Sequence, residues 1–138
     1  MTASDPSKPL APGLEGRAEA VVTPALTAAA LGSGTADVYA SPAMIALMEK
    51  AAVAAVEPHL APGETSVGIH LDVSHKAATP PGLTVHAKAT LIAVEGRKLT
   101  FAIEAHDAVE QIGEARHTRV IVEEARFEQK AKAKQERP

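Results

Sequence analysis

Apolar residues recur along this chain in two rhythms, and the rhythms divide it into elements. The run Ala43-Met44-Ile45-Ala46-Leu47-Met48-Glu49-Lys50-Ala51-Ala52-Val53-Ala54-Ala55-Val56-Glu57 is apolar nearly all the way round a helical wheel. Such a circumference predicts a helix inside the protein rather than on it. Ser41 followed by Pro42 reads as a cap with proline in the first turn, Pro58 stops the helix, and Pro62-Gly63 makes the turn beyond it.

Elsewhere the period is two. Val67, Ile69, Leu71 and Val73 share one face, against Ser66, Gly68, His70 and Asp72 on the other. Leu83, Val85, Ala87, Ala89 and Leu91 repeat the pattern, as do Leu99, Phe101, Ile103 and Ala105. Further strands are expected over Glu15 to Val22 and roughly Ile112 to Val122. Glu95-Gly96-Arg97 and Asp107 to Gln111 are turns, and short connections between successive strands imply an antiparallel sheet. Thr23 to Thr35, Ala/Gly-rich with Gly32-Ser33-Gly34, reads as a mobile loop. The expected fold class is α+β, one buried helix against a curved antiparallel sheet of about five strands. Residues 1–13 are expected to form a flexible arm, 14–127 the domain and 128–138 a charged tail.

Composition narrows the function. A chain of 138 residues makes one domain and buries a core without staples. It has no cysteine, which excludes disulfides and Cys-type zinc sites, and its six histidines form no tight ligand cluster, so no metal is expected. A net charge of -3 and the scarcity of aromatics (Tyr39, Phe101, Phe127) argue against nucleic acid. No stretch is long and apolar enough to span a bilayer, and Pro6, Pro9 and Pro12 stand where a secretory segment would be apolar; no membrane partner and a cytoplasmic location are expected.

Against that background a few polar groups stand out. Glu49 shares its arc of the helix with Ile45, Ala52, Val53 and Val56, where a carboxylate loses hydration. It is either paired with a base, set at a subunit seam, or used chemically. His75 continues the face of Leu71 and Val73 toward the helix, as a hydrogen-bonded core group or a functional one. Ser41 is an N-cap or a hydroxyl holding an anionic oxygen or a water. His70 and His86 fall on the opposite sheet face.

The segment Val38-Tyr39-Ala40-Ser41-Pro42-Ala43-Met44 with Leu47-Met48-Glu49, then Val73-Ser74-His75-Lys76-Ala77-Ala78-Thr79-Pro80-Pro81-Gly82-Leu83-Thr84-Val85 and His117-Thr118-Arg119, resembles the fluoroacetyl-CoA thioesterase family of hotdog-fold enzymes. The resemblance runs over roughly residues 15 to 127. It implies a homodimer, able to stack into tetramers, whose sheets join edge to edge with acyl-CoA bound at the seam. It carries the family's functional hydroxyl, glutamate and histidine to Ser41, Glu49 and His75, and its glycine near the thioester to Gly68. Arg97, Lys98 and Arg119 are candidates for meeting CoA, and no cofactor is implied beyond the CoA of the substrate. In the fluoroacetyl-specific enzyme a threonine stands where this chain has Ser41, and a phenylalanine-bearing lid precedes the helix where this chain has Ala28-Ala29-Ala30-Leu31-Gly32-Ser33-Gly34. The expected activity is hydrolysis of a short acyl-CoA thioester, without an argument for strict fluoroacetyl specificity. A hotdog enoyl-CoA hydratase or dehydratase and a non-catalytic acyl-CoA binding module are the alternatives.

Overall fold

The computed structural model describes residues 9–136. Most of the expected N-terminal arm (residues 1–8) and the last two residues of the expected tail lie outside them. Residues 9–13 run along the sheet: the Gly13 N–H donates to the Leu91 carbonyl at 2.8 Å, and Leu10 packs on the core.

Five antiparallel strands, β1 (Glu15–Val21), β2 (Glu64–His75), β3 (Thr84–Glu95), β4 (Lys98–His106) and β5 (Gln111–Glu123), form one sheet in the order β1-β3-β4-β5-β2. Glycine turns with positive φ at Gly82 and Gly96 serve the sheet. The alternation read from the sequence appears in β3, β4 and β5, whose inward side chains (Val85, Ala87, Ala89, Leu91; Leu99, Phe101, Ile103, Ala105; Ile112, Ala115, Ile121) are buried.

The long helix, α2 (Ser41–Val56), crosses the inner face and buries Met44, Leu47, Met48, Ala51, Ala52, Ala55 and Val56. Its exposed stripe (Pro42, Ala46, Lys50, Ala54) is largely alanine, which is why the wheel looks apolar all round. The helix does not sit centrally. It packs mainly on β1 and β3 and only lightly on β2. Gly16 permits this: a Cβ there would collide with the backbone of Ala51 and Ala55. The flank between α2 and β2 is therefore thinly covered, and it carries the half-exposed stripe Ile45, Glu49 and Val53.

Two expectations need correction. The Thr23–Thr35 segment is not all loop: a 3-10 turn (Pro24–Leu26) and a short helix, α1 (Ala28–Leu31), precede the irregular Gly32-Ser33-Gly34. Thr27 caps α1, its Oγ1 accepting the Ala30 N–H at 3.3 Å, and Gly32 ends it in the left-handed region. The run of alanines between cap and glycine is a helix signal that the glycine-rich end obscured. The second correction concerns β2. Its register with β5 shifts between Gly68 and His70, so Ile69 is an extra, bulged residue that is 57% exposed. The strict odd/even division of Ser66 to Val73 therefore fails halfway. Ser66 and Gly68 turn toward the helix before the bulge, and Leu71, Val73 and His75 turn toward it after the bulge, opposite the inward residues of β5.

Candidate active site

Four of the predicted polar groups, Ser41, His75, Glu49 and Arg119, belong to two clusters, both facing the α2–sheet interval. At the start of α2, Ser41 is the first helical residue and Ala40 occupies the cap position. The Ser41 hydroxyl is not spent on a cap. Its Oγ lies 2.7 Å from His75 Nδ1, at the end of β2. His75 also meets the edge of Tyr39, with ring centroids 6.4 Å apart. Burial lowers the pKa of His75, a backbone contact to Ala77 opposing it, so the neutral imidazole dominates at neutral pH. Burial pushes the Tyr39 hydroxyl up to about 12, so it stays protonated. Ser41, His75, Tyr39, Val38, Ala28 and Ala77 help line a pocket of about 290 Å³.

Two turns further along α2, Glu49 lies over Gly68. Its Oε2 accepts from Arg119 Nη1 at 3.2 Å and lies 3.8 Å from His117 Nε2. A Cβ at residue 68 would stand 2.8 Å from Glu49 Oε2 and 3.0 Å from His117 Cε1, so only glycine lets the carboxylate approach the strand this closely. Arg119 and His117 are 6% and 1% exposed on the inner face of β5. Arg119 donates from Nε to Ser66 Oγ at 2.8 Å and from Nη2 to the Ser66 carbonyl at 2.9 Å. His117 Nδ1 lies 2.8 Å from the His70 carbonyl.

The expected meeting of Glu49 with His75 does not occur within one chain. Ser41 and Glu49 are eight residues apart, about 12 Å along the helix axis at 1.5 Å per residue. The imidazole nearest the carboxylate is His117, which the sequence reading passed over. Nor is Glu49 enclosed: its side chain is 40% exposed on the thinly covered flank. Arg119, a candidate for contacting substrate, is buried, and its guanidinium is engaged by Glu49, Ser66 and His117. Arg97 holds Glu64, with Nη1 and Nη2 each 3.0 Å from Oε2. His70 and His86 are exposed, as expected of the opposite face, and His86 pairs with Glu19 at 3.2 Å. The signal that could have found the second cluster is the period of β5, which sets His117 and Arg119 between the inward Ala115 and Ile121.

No helix among the described residues is long and apolar enough to cross a membrane. The family model described as fluoroacetyl-CoA-specific thioesterase matches residues 22–125. The fluoroacetyl-CoA thioesterase of Streptantibioticus cattleyicolor is 46% identical over 98 residues, covering 71% of this chain and 70% of that protein. A crystal structure of an alanine variant of the fluoroacetyl-CoA-specific thioesterase FlK is 38% identical and superposes with a TM-score of 0.86, over 93% of this chain and 99% of the other. Its complex with fluoroacetate and CoA is 40% identical, with a TM-score of 0.81 over 86% and 99% of the two chains. With the family match over residues 22–125 and a relative 46% identical over 71% of its length, the chain belongs to the fluoroacetyl-CoA-specific thioesterase family and is an acyl-CoA thioesterase.

Proposed function

We propose that the enzyme hydrolyses short acyl-CoA thioesters to CoA and a carboxylic acid, in the cytoplasm, with Glu49 as the reacting carboxylate and Ser41 and His75 as its hydroxyl and imidazole. The observation that carries this reading is the hold on Glu49, a cation-paired carboxylate set directly over Gly68 on an open flank. Glu49 either takes a proton from water as its oxygen bonds to the carbonyl carbon, or attacks that carbon itself to give an anhydride that water opens. In both routes the C–S bond breaks and the departing sulfur needs a proton, for which the Ser41–His75 pair is the candidate donor. A backbone N–H beside Gly68 would receive the oxyanion, since the missing side chain lets the substrate come close.

The distance between the clusters favours a homodimer. β2 is an edge strand of 12 residues that exposes Ile69 and leaves Val67, Leu71 and Val73 half-covered. An unpaired apolar edge invites a second strand. Gly68 and His75 are seven residues apart, roughly 23 Å at 3.3 Å per residue along one strand. Antiparallel self-pairing about a two-fold axis between them would lay Gly68 beside the partner subunit's His75 and turn the open flank into a cleft over Glu49. Stacking of such dimers into tetramers is compatible with this arrangement.

Small side chains support the expected substrate class. The pocket beside Ser41 and His75 is walled partly by Ala28 and Ala77, and residues 28–34 carry no aromatic gate. The enzyme is accordingly expected to accept several short acyl groups rather than fluoroacetyl alone. The test is thiol release across acetyl-, fluoroacetyl-, propionyl- and longer acyl-CoA, for the parent and for Glu49→Gln. Release from the short esters, lost in the variant, supports the proposal. No release from any ester, or loss of enoyl-CoA absorbance instead, overturns it.

A further inference from the structure

Hydrolysis as proposed uses Glu49 and the Ser41–His75 pair but leaves unexplained why a guanidinium and a second imidazole are buried beneath the carboxylate. Burying a cation is costly unless every one of its bonds is met. Here four of the five N–H donors have partners among the described residues, and they fit one arrangement of protons. The His70 carbonyl can only accept, so His117 carries its proton on Nδ1 and donates it there. His117 Nε2 is then an acceptor, and it takes an N–H from Arg119 Nη1 at 3.1 Å. Burial lowers the pKa of His117, which agrees with a neutral ring. Arg119 Nη1 thus has one hydrogen for His117 and one for Glu49 Oε2, while Nε and Nη2 are fastened to the hydroxyl and carbonyl of Ser66.

We propose, on the reading of Glu49 as the reacting group, that Arg119, locked by Ser66 and His117, is a positioning residue that pins one oxygen of Glu49 and leaves the other for the reaction. The guanidinium is planar, and partners on both edges prevent it from turning. Glu49 Oε2 is held. Glu49 Oε1 accepts no hydrogen bond among the described residues, and the side chain is 40% exposed, so Oε1 is the oxygen available to water or to a carbonyl carbon. The bulge at Ile69 belongs to the same device. It lets Ser66 and Gly68 face the helix while Leu71, Val73 and His75 further along the strand do so too. A regular strand would turn either Ser66 or His75 away. A phosphate contact for Arg119 is a different role, since a locked and buried guanidinium does not reach a solvent-facing nucleotide.

The experiment is steady-state thiol release by full-length Arg119→Ala, with and without guanidinium ion at a non-denaturing concentration, and circular dichroism to establish the fold. Misplacing a reacting group by about an ångström costs on the order of a hundredfold, so kcat should fall by about that factor with KM little changed. Guanidinium should restore part of the loss in a saturable manner, whereas sodium chloride at equal ionic strength should not. Glu49→Gln should show no such rescue. A rise in KM with kcat intact, or a loss that guanidinium leaves untouched, overturns the positioning role. If Arg119→Ala does not fold, Arg119→Lys decides the matter. That variant keeps the charge but not the fork, and lowered kcat with parental KM supports the proposal, whereas parental kcat overturns it. Full turnover by Glu49→Gln would instead remove the reading of Glu49 beneath it.

Discussion

The two polar clusters on α2 are built by opposite means. At the N-terminal end one hydrogen bond joins Ser41 to His75 beside a pocket with small side chains in its wall. At mid-helix, five groups from three elements converge: Glu49 from α2, Ser66 and the His70 carbonyl from β2, His117 and Arg119 from β5. A single bond between a hydroxyl and a neutral imidazole leaves both able to move a proton. A closed network fixes geometry and ionisation together. On the proposed function the work divides accordingly: the mid-helix cluster would set where the reacting atom is, and the helix-end cluster would handle the proton. The difference also separates what each tolerates, because a looser pair degrades gradually and a locked network fails when one member is resized.

The largest effect should come from the reacting atom itself. Glu49→Gln keeps the shape, and its amide oxygen can still accept from Arg119, but it cannot take a proton or attack a carbonyl. Loss of an essential base costs roughly a hundredfold to ten-thousandfold, so kcat measured by thiol release should fall within that range while the melting temperature stays near the parent's. Parental turnover would reverse the assignment of the two clusters. Next comes Gly68→Ala. Its Cβ would sit 2.8 Å from Glu49 Oε2, closer than real Cβ contacts, and 3.0 Å from His117 Cε1, which is tight. The carboxylate must shift, and a kcat loss of up to about a hundredfold is expected with the sheet intact. An unchanged kcat would mean that the position of Glu49 matters less than the network suggests.

Ser41→Ala probes the other cluster and should cost less. It removes the partner of His75 Nδ1, and an unsatisfied half-buried group costs about 1–3 kcal/mol, or roughly tenfold to a hundredfold if the whole loss appears in the rate. Ser41→Thr keeps the hydroxyl and should recover most of the activity; failure to do so would make Ser41 a steric rather than a hydrogen-bonding requirement.

Much of this arrangement was legible in the sequence. Glu49 and His75 could be singled out because polar residues at apolar positions of a regular period are conspicuous, and Ser41 because it begins the helix beside Pro42. The short turns made the run β3-β4-β5 legible, but the places of β1 and β2 at the two edges were not, since period two says nothing about neighbours. Nor was the bulge read: one extra residue at Ile69 inverts every later facing, and the only hint is Gly68 inside the strand, which marks a bulge or a close approach without saying which. His117 and Arg119 lie on the inward period of β5, but alternating with the charged Glu114 and Arg116 they give no sign of meeting Glu49, and Arg119 reads as a contact for CoA. Glu49's setting was misjudged for a related reason. A wheel shows which residues share an arc, and only Gly16 in β1, by drawing α2 sideways, explains why that arc lies on a thinly covered flank.

The smallest effect separates the clusters by pH. Burial depresses the pKa of both His75 and His117 below the ordinary imidazole value of about 6.5. In the unfolded chain these rings take up protons first as pH falls, so the unfolded state binds more protons and folding stability rises with pH. That contribution is complete above the unfolded pKa and is lost as pH falls through the folded values. Urea denaturation at pH 5 and pH 7.5 should therefore show a lower midpoint at the acid end. His117→Gln should flatten the difference, because His117 is the more deeply buried ring and is held neutral by two fixed partners. His75→Gln should flatten it less. Equal flattening, or a steeper slope in either variant, would mean that the two imidazoles share one electrostatic environment and that the contrast between a locked and a loose cluster does not extend to their protons.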